Sequence, residues 1–428
     1  MLKFDFCRHA AAHEDLQRFI NRSWNPENVA KRSDEKTAFL NSLQLASKQR
    51  QVVVFIAVHQ GNFPSIEFIA HGFKADENLS IHGIYINSPP PENLYSTDFF
   101  CKGSLAVFYD LISSLPGITV YLQSHAKWIF LNPLLRQSNP KLTIYNEVYD
   151  WMEPLVGENQ EFFDKEGLFS ILEMEWIKDG EEYVRNNSDG YLYKGGGSWM
   201  DGVLKRAISP SLHMLPCNPK AWNLPPAGKT DIDDSIRLVY TGQIKASSDR
   251  RELLGHMNFL PMIDDLSRQG VSVTIYIPTH FSEDQAKSTF CEYYNLAEKS
   301  PLFEIKMGVV QPALFKKLHG AFTFGLMINY LDADNKVGIE HFHEAVSSKI
   351  FTYLASGLPV LIGEEYRFMA KLITTEGVGV VISREQLNNL DAALADVDYQ
   401  QLLVNVERFQ KKYNIEAFLP KLKEFMGL

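Results

Sequence analysis

This sequence predicts two α/β domains, each built on a parallel sheet, and three observations carry the prediction. Apolar runs rich in β-branched residues alternate with stretches of helical periodicity. The alternation occurs twice, on either side of residues 218–235, a stretch dense in Pro, Gly and acidic residues that reads as a linker. The length, 428 residues, exceeds that of one ordinary domain.

Residues 1–50 read as mainly helical and polar. Val52–Val58 is an unbroken apolar run, as expected of a central strand covered on both faces. It ends at His59-Gln60-Gly61-Asn62, and a helix follows with Pro64 in its first turn. Further strands are predicted at 81–86, 118–122 and 142–146, with helices between them at 104–115 and 128–136. After the linker, strands are predicted at 236–240, 271–277, 303–307, 321–324, 359–362 and 379–382. Helices are expected at 251–268 and 312–318, and residues 384–427 read as helical throughout. Such alternation implies right-handed crossovers within each sheet. The hinge is placed near residue 228.

Composition excludes several classes. Hydrophobic residues make up 45% and charged residues 22%, as expected of a globular chain with sizeable cores. A net charge of −10 argues against a general nucleic-acid binder. Cys7, Cys101, Cys217 and Cys291 are far apart and form no C-x-x-C pair, which argues against a zinc ribbon or a thioredoxin-type site. Scattered thiols suit a reducing compartment. No apolar run reaches ~18 residues and no signal-peptide core opens the chain, so a cytoplasmic protein is expected, with peripheral membrane contact left open.

In open α/β sheets ligands sit beyond the carboxyl ends of the strands. Four loops there are candidates. The first is His59-Gln60-Gly61-Asn62, where Gly61 permits either close ligand approach or a tight turn. The second is Glu147-Val-Tyr-Asp150: either acid suits a hydroxyl's hydrogen bond, and Asp150 equally suits a helix N-cap. The third begins Thr241-Gly242-Gln243 and continues through Lys245 to Arg250 and Arg251. Its three cations beside a glycine turn suit phosphate oxygens, or form a solvated surface cluster. The fourth is Glu344–Ile362: a loop, a helix opening at Ser347-Ser348, a stop at Gly357 and a buried strand. A helix N-terminus with unpaired N–H groups, a capping serine (Ser348) and Lys349 suits a phosphate, whereas the bland alternative is an ordinary helix–strand unit. His341-Phe-His343-Glu344 does not match a metal-binding H-E-x-x-H pattern, and Lys194-Gly-Gly-Gly-Ser198 is not a P-loop. No metal site or cofactor is expected.

Ser347-Ser-Lys-Ile-Phe-Thr-Tyr-Leu-Ala-Ser-Gly-Leu-Pro-Val360 resembles the P-S-K-x-F-E-Y-L-A-x-G-x-P-V segment of GT-B glycosyltransferases, in particular the large retaining group that uses nucleotide sugars. Leu238–Gly242, Ser188–Tyr193, His213–Asn218 and Gly377–Val381 resemble further segments of that group in the same order. The resemblance implies a GT-B architecture: two Rossmann-like domains facing an interdomain cleft. Residues 1–228 would form the acceptor domain, 229–404 the donor domain, and 405–428 a helix crossing back to the first. It implies that Glu344 meets the donor sugar's hydroxyls and that Asp150 stands nearest the acceptor-side catalytic position. His59, Gly61, Asn62 and Glu147 would face the cleft. Gly242, Gln243, Lys245, Arg250, Arg251, Ser347, Ser348, Lys349 and Thr352 would surround the nucleotide. Two departures stand out: Gln243 replaces an arginine on the diphosphate, and Thr352 replaces a ribose-binding acid. The implied activity is transfer of a hexose-type sugar from a nucleotide-diphosphate sugar to a glycan, lipid or small-molecule acceptor, as in polysaccharide biosynthesis. A nucleotide-sugar epimerase, or a degenerate binding protein, is the alternative.

Overall fold

The structure, a computed structural model, describes residues 6–60, 65–227, 235–246, 256–329, 331 and 335–428. The chain divides into two compact units, one comprising Met1–Leu215 with Ile415–Leu428, the other Pro216–Asn414.

The first unit holds seven strands: β1 (Gln51–Ala57), β2 (Leu79–Tyr85), β3 (Thr97–Phe100), β4 (Thr119–Ser124), β5 (Thr143–Val148), β6 (Gly190–Tyr193) and β7 (Ser211–His213). They pair in the order β3-β2-β1-β4-β5-β6-β7, and each of these pairings is parallel. The second unit holds β8 (Arg237–Thr241), β9 (Ser272–Ile277), β10 (Phe303–Met307), β11 (Phe324–Met327), β12 (Val360–Gly363) and β13 (Gly379–Ile382). Their order is β10-β9-β8-β11-β12-β13, again parallel. Each sheet therefore reverses its winding once, at β1/β4 and at β8/β11, and a crevice opens beyond the strand ends at such a point.

Burial explains the apolar runs. Val53 to Ala57 and all seven residues of β2 are buried, as expected of strands covered by helices on both faces. The second core joins β8 and β9 to Ile263 and Leu266 of the helix Leu260–Arg268 between them, and to Phe259 just before it.

Several boundaries differ from the sequence reading. β3 was not predicted, because its Thr-Asp-Phe-Phe sequence lies at a sheet edge and buries only Phe99. β11 begins three residues later than predicted. Thr323 ends the preceding loop, its N–H donating to Arg237 O at 2.7 Å and its hydroxyl accepting from Arg237 N at 3.1 Å. The division falls at 215/216, ahead of the hinge read near 228, because residues 216–227 pack on the second unit. Asn218 Nδ2 donates to Phe351 O at 3.0 Å, and Leu224 N to Ala355 O at 2.7 Å. Residue 228 itself lies outside the described residues, as does the start of the helix read at 251–268. The segment read as 405–428 is split: its first part ends the helix Tyr399–Lys412, which lies in the second unit, and the helix Ile415–Met426 lies in the first.

Candidate active site

In the second unit the crevice at β8/β11 is met by the helix Ser348–Ala355, the second of two helices between β11 and β12. Its position is fixed by Tyr353, a fully buried side chain. The Tyr353 hydroxyl accepts from Thr241 N at 3.0 Å, at the end of β8, and donates to Leu326 O at 3.2 Å, on β11. Gly325 makes room for this ring, since a Cβ there would stand 2.1 Å from Tyr353 Cγ. The helix start is thereby held at the ends of the two strands where the winding reverses.

The helix is capped by Ser347, whose hydroxyl accepts from Lys349 N at 3.3 Å, so the cap is Ser347 and not Ser348 as read from the sequence. Ser347 N donates to Met369 Sδ at 3.1 Å. As at any helix start, the first-turn N–H groups have no intrahelical acceptor. Lys349 turns back over the end of β8. Its Nζ lies 5.6 Å from the centre of the Tyr240 ring, and a Cβ on Gly242 would stand 2.5 Å from Lys349 Cε. Gly242 also has φ +138°, a backbone conformation that favours glycine. Gln243 is exposed, and its carbonyl accepts from the Tyr240 hydroxyl at 2.9 Å; Lys245 is half-buried. Arg250 and Arg251 lie outside the described residues.

Glu344 is the last residue of the helix Ile339–Glu344, three residues before the cap, and is 5% exposed. Thr352 is buried. Its hydroxyl donates to Ser348 O at 3.3 Å and accepts from Gln311 Nε2 at 2.9 Å. A partner from a loop 41 residues away, Gln311, thus fills the space beside a side chain shorter than the expected acid.

Beyond the ends of β11, β12 and β13 lies a pocket of about 360 Å³, lined by Asn329, Leu331, His343, Glu364, Glu365, Arg367 and Arg384. Glu365 accepts from Asn329 N at 2.9 Å, and burial raises its pKa. Burial, and then Arg367, lowers that of His343. The sequence reading missed the Glu364-Glu365 pair; its signal was two acids directly after a buried strand. Among the described residues no group of three or more His, Cys, Asp or Glu could hold a metal ion.

In the first unit Glu147 is fully buried at the end of β5. Its carboxylate accepts from Lys194 at 2.8 Å, Tyr121 at 2.9 Å, Gln123 at 3.2 Å and the Ser65 hydroxyl. Burial lowers the pKa of Lys194 while Glu147 raises it. Glu147 thus serves the interior of this unit. Asp150 is half-buried and does not cap the helix Met152–Val156, whose first N–H instead donates to Glu181 Oε1 at 2.8 Å. His59 is half-buried, 3.3 Å from Asn87 Nδ2, with its pKa lowered by burial. Gly61 and Asn62 lie outside the described residues.

Residues 279–424 match the family model of the glucosyltransferase 3-like C-terminal domain. No curated protein matches the chain by sequence. Among solved structures, Anabaena HepE in complex with UDP-glucose is similar at TM-score 0.57 and 10% identity, covering 88% of this chain and 100% of that one. An O-GlcNAc transferase variant from Thermobaculum terrenum is similar at TM-score 0.52 and 12% identity, covering 88% of this chain and 66% of that one. Os79 from O. sativa, in complex with UDP, is similar at TM-score 0.51 and 11% identity, covering 88% and 99%. At these identities the likeness is one of fold: the chain has the GT-B fold of glycosyltransferases.

Proposed function

We propose that this chain is a glycosyltransferase that takes a hexose-type sugar from a UDP-sugar donor. The observation that carries this reading is the approach of Lys349 to Gly242 across the β8/β11 crevice, over the start of a capped helix. First-turn N–H groups and an ammonium there form a seat for a diphosphate. Negative charge grows on the diphosphate as the sugar bond breaks, and groups already aimed at it stabilise that transition state. The pocket beyond β11–β13 suits the sugar, and Glu344 directly follows its lining residue His343 in the chain. The UDP complexes of HepE and Os79 support uracil as the base.

On this reading the protein's own groups neutralise the leaving group and no metal is required. Turnover unaffected by EDTA is the expected result; loss on chelation restored by Mg²⁺ overturns that part. Retention of anomeric configuration is assigned from the resemblance at Glu344, and the anomeric proton coupling of the product tests it. The donor assignment is tested by calorimetric titration with UDP and by UDP release from UDP-sugars. Lys349→Ala is expected to weaken UDP binding by about tenfold or more, the loss of one charge-assisted hydrogen bond. A wild-type chain that binds no UDP and releases none from any UDP-sugar sinks the reading. A changed sugar with its diphosphate bond intact indicates epimerisation instead.

A further inference from the structure

Both segments that carry the chain between its units are bonded to one helix. The helix Ser348–Ala355 has eight residues. Its two ends are therefore only about 12 Å apart. Its first turn stands at the β8/β11 crevice, while its last carbonyls need partners from outside the helical ladder. The chain enters the second unit at Pro216 and leaves it at Asn414. Residues of each crossing supply such partners.

On the entry side, Asn218 Nδ2 donates to Phe351 O and Leu224 N to Ala355 O. Pro225 and Pro226 then close over the helix end: a Cβ on Gly357 would stand 2.9 Å from Pro225 O. On the exit side is Gln410, near the end of the helix Tyr399–Lys412. Its amide nitrogen donates to Leu354 O at 2.6 Å and to Leu224 O at 2.8 Å. Gln410 thereby ties the two crossings to each other and both to the helix. Asn218 and Gln410 are 5% and 7% exposed, so these bonds are made away from water.

A helix of two turns moves as one body. Tyr353 fixes it against the strands at mid-length, and the crossings fix its far end. Together these contacts set where the first-turn N–H groups and Lys349 stand. Hydrogen bonds to a diphosphate depend steeply on distance and angle, so a looser far end makes a poorer seat. Such coupling is reciprocal. If the grip on the far end favours a ligand at the start, the ligand strengthens that grip by the same factor.

We infer that Asn218 and Gln410 are positioning residues for the donor, and that a nucleoside diphosphate at the helix start tightens the hold of both crossing segments on the helix end. The inference rests on the donor site proposed above, and its test separates the two.

Asn218→Leu and Gln410→Met each remove the amide donors at nearly constant volume. In the full chain each is expected to weaken UDP binding about three- to tenfold by calorimetry, the worth of one buried hydrogen bond, with the wild-type circular dichroism retained. Ile263→Val trims a fully buried side chain elsewhere in the same unit and lowers stability by a similar margin. It should leave UDP affinity unchanged, which separates positioning from general loosening. In the wild-type chain, saturating UDP should slow hydrogen exchange at the Leu224 amide, read by mass spectrometry of peptides across 219–227, and should slow it less in Gln410→Met. Where a substitution unfolds the chain, the exchange measurement on the wild type decides alone. Wild-type UDP affinity in both variants, an equal loss in Ile263→Val, or Leu224 exchange unmoved by UDP each overturns the inference and leaves the donor reading intact. A wild-type chain that binds no UDP removes both.

Discussion

At Lys349 one side chain leaves a helix start and lies along the backbone of another strand's end, so its charge is positioned by what Gly242 lacks. A methyl group at 242 would meet the lysine stem at 2.5 Å, and the φ of +138° disfavours any other residue. Gly242→Ala is therefore expected to weaken UDP binding while Lys349 itself is retained, which calorimetry would show. Glu181 makes a different prediction. Burial raises its pKa from 4.5 to about 8, so the folded state favours the neutral acid. Its contribution to stability is greatest below pH 4.5 and is lost as the pH rises towards about 8. Glu181→Gln should flatten that loss, and urea titrations at several pH values would show it; an unchanged pH profile counts against a buried carboxyl. Gly242 and Lys349 were legible because a glycine turn and a lysine at a helix start have local causes. The pairing of Thr352 with Gln311 was not, since it is a tertiary contact between a helix and a distant loop.

At the level of elements, the helix Ser348–Ala355 is held by its second turn and exposes its first. Tyr353→Phe removes the hydroxyl between Thr241 N and Leu326 O. It should destabilise the protein by about 1–3 kcal/mol, since two buried backbone groups lose a partner. The denaturant midpoint measures this, and UDP affinity should fall with it. Gly325→Ala should do at least as much harm, because its methyl would overlap the Tyr353 ring. Most strands were readable because strands buried on both faces leave largely continuous apolar runs, as in β1, β9 and β12. Their ends were less so: the run from Ala321 to Ile328 is apolar on both sides of the true start of β11, and only the pairing with β8 and β12 fixes it. β3 left no run at all, being short and at an edge.

For the molecule as a whole, the two sheets share one order over six strands, the first sheet adding β7 at its edge, and one kind of crevice, and the sequence showed that doubling through its repeated alternation. No helix among the described residues is long and apolar enough to cross a membrane. The unit boundary was misplaced because Pro- and Gly-rich residues look like a tether, whereas residues 216–227 are bonded to the second unit. The terminal helix Ile415–Met426 is bound to the first unit with equal definition. Phe425 lies 5.4 Å from the Tyr145 ring, Lys423 pairs with Asp76, and Leu422 is fully buried. Leu422→Ala is expected to cost about 2–5 kcal/mol, read from urea unfolding of the full chain.

That closing helix also orders events in time. Residues 415–428 are synthesised after 216–414, so the ribosome finishes one unit while its host still lacks a wall. A chain truncated after Asn414 should resist protease across 256–414 and be cut within 65–215. Protection of both at that point would show that the host closes without its last piece.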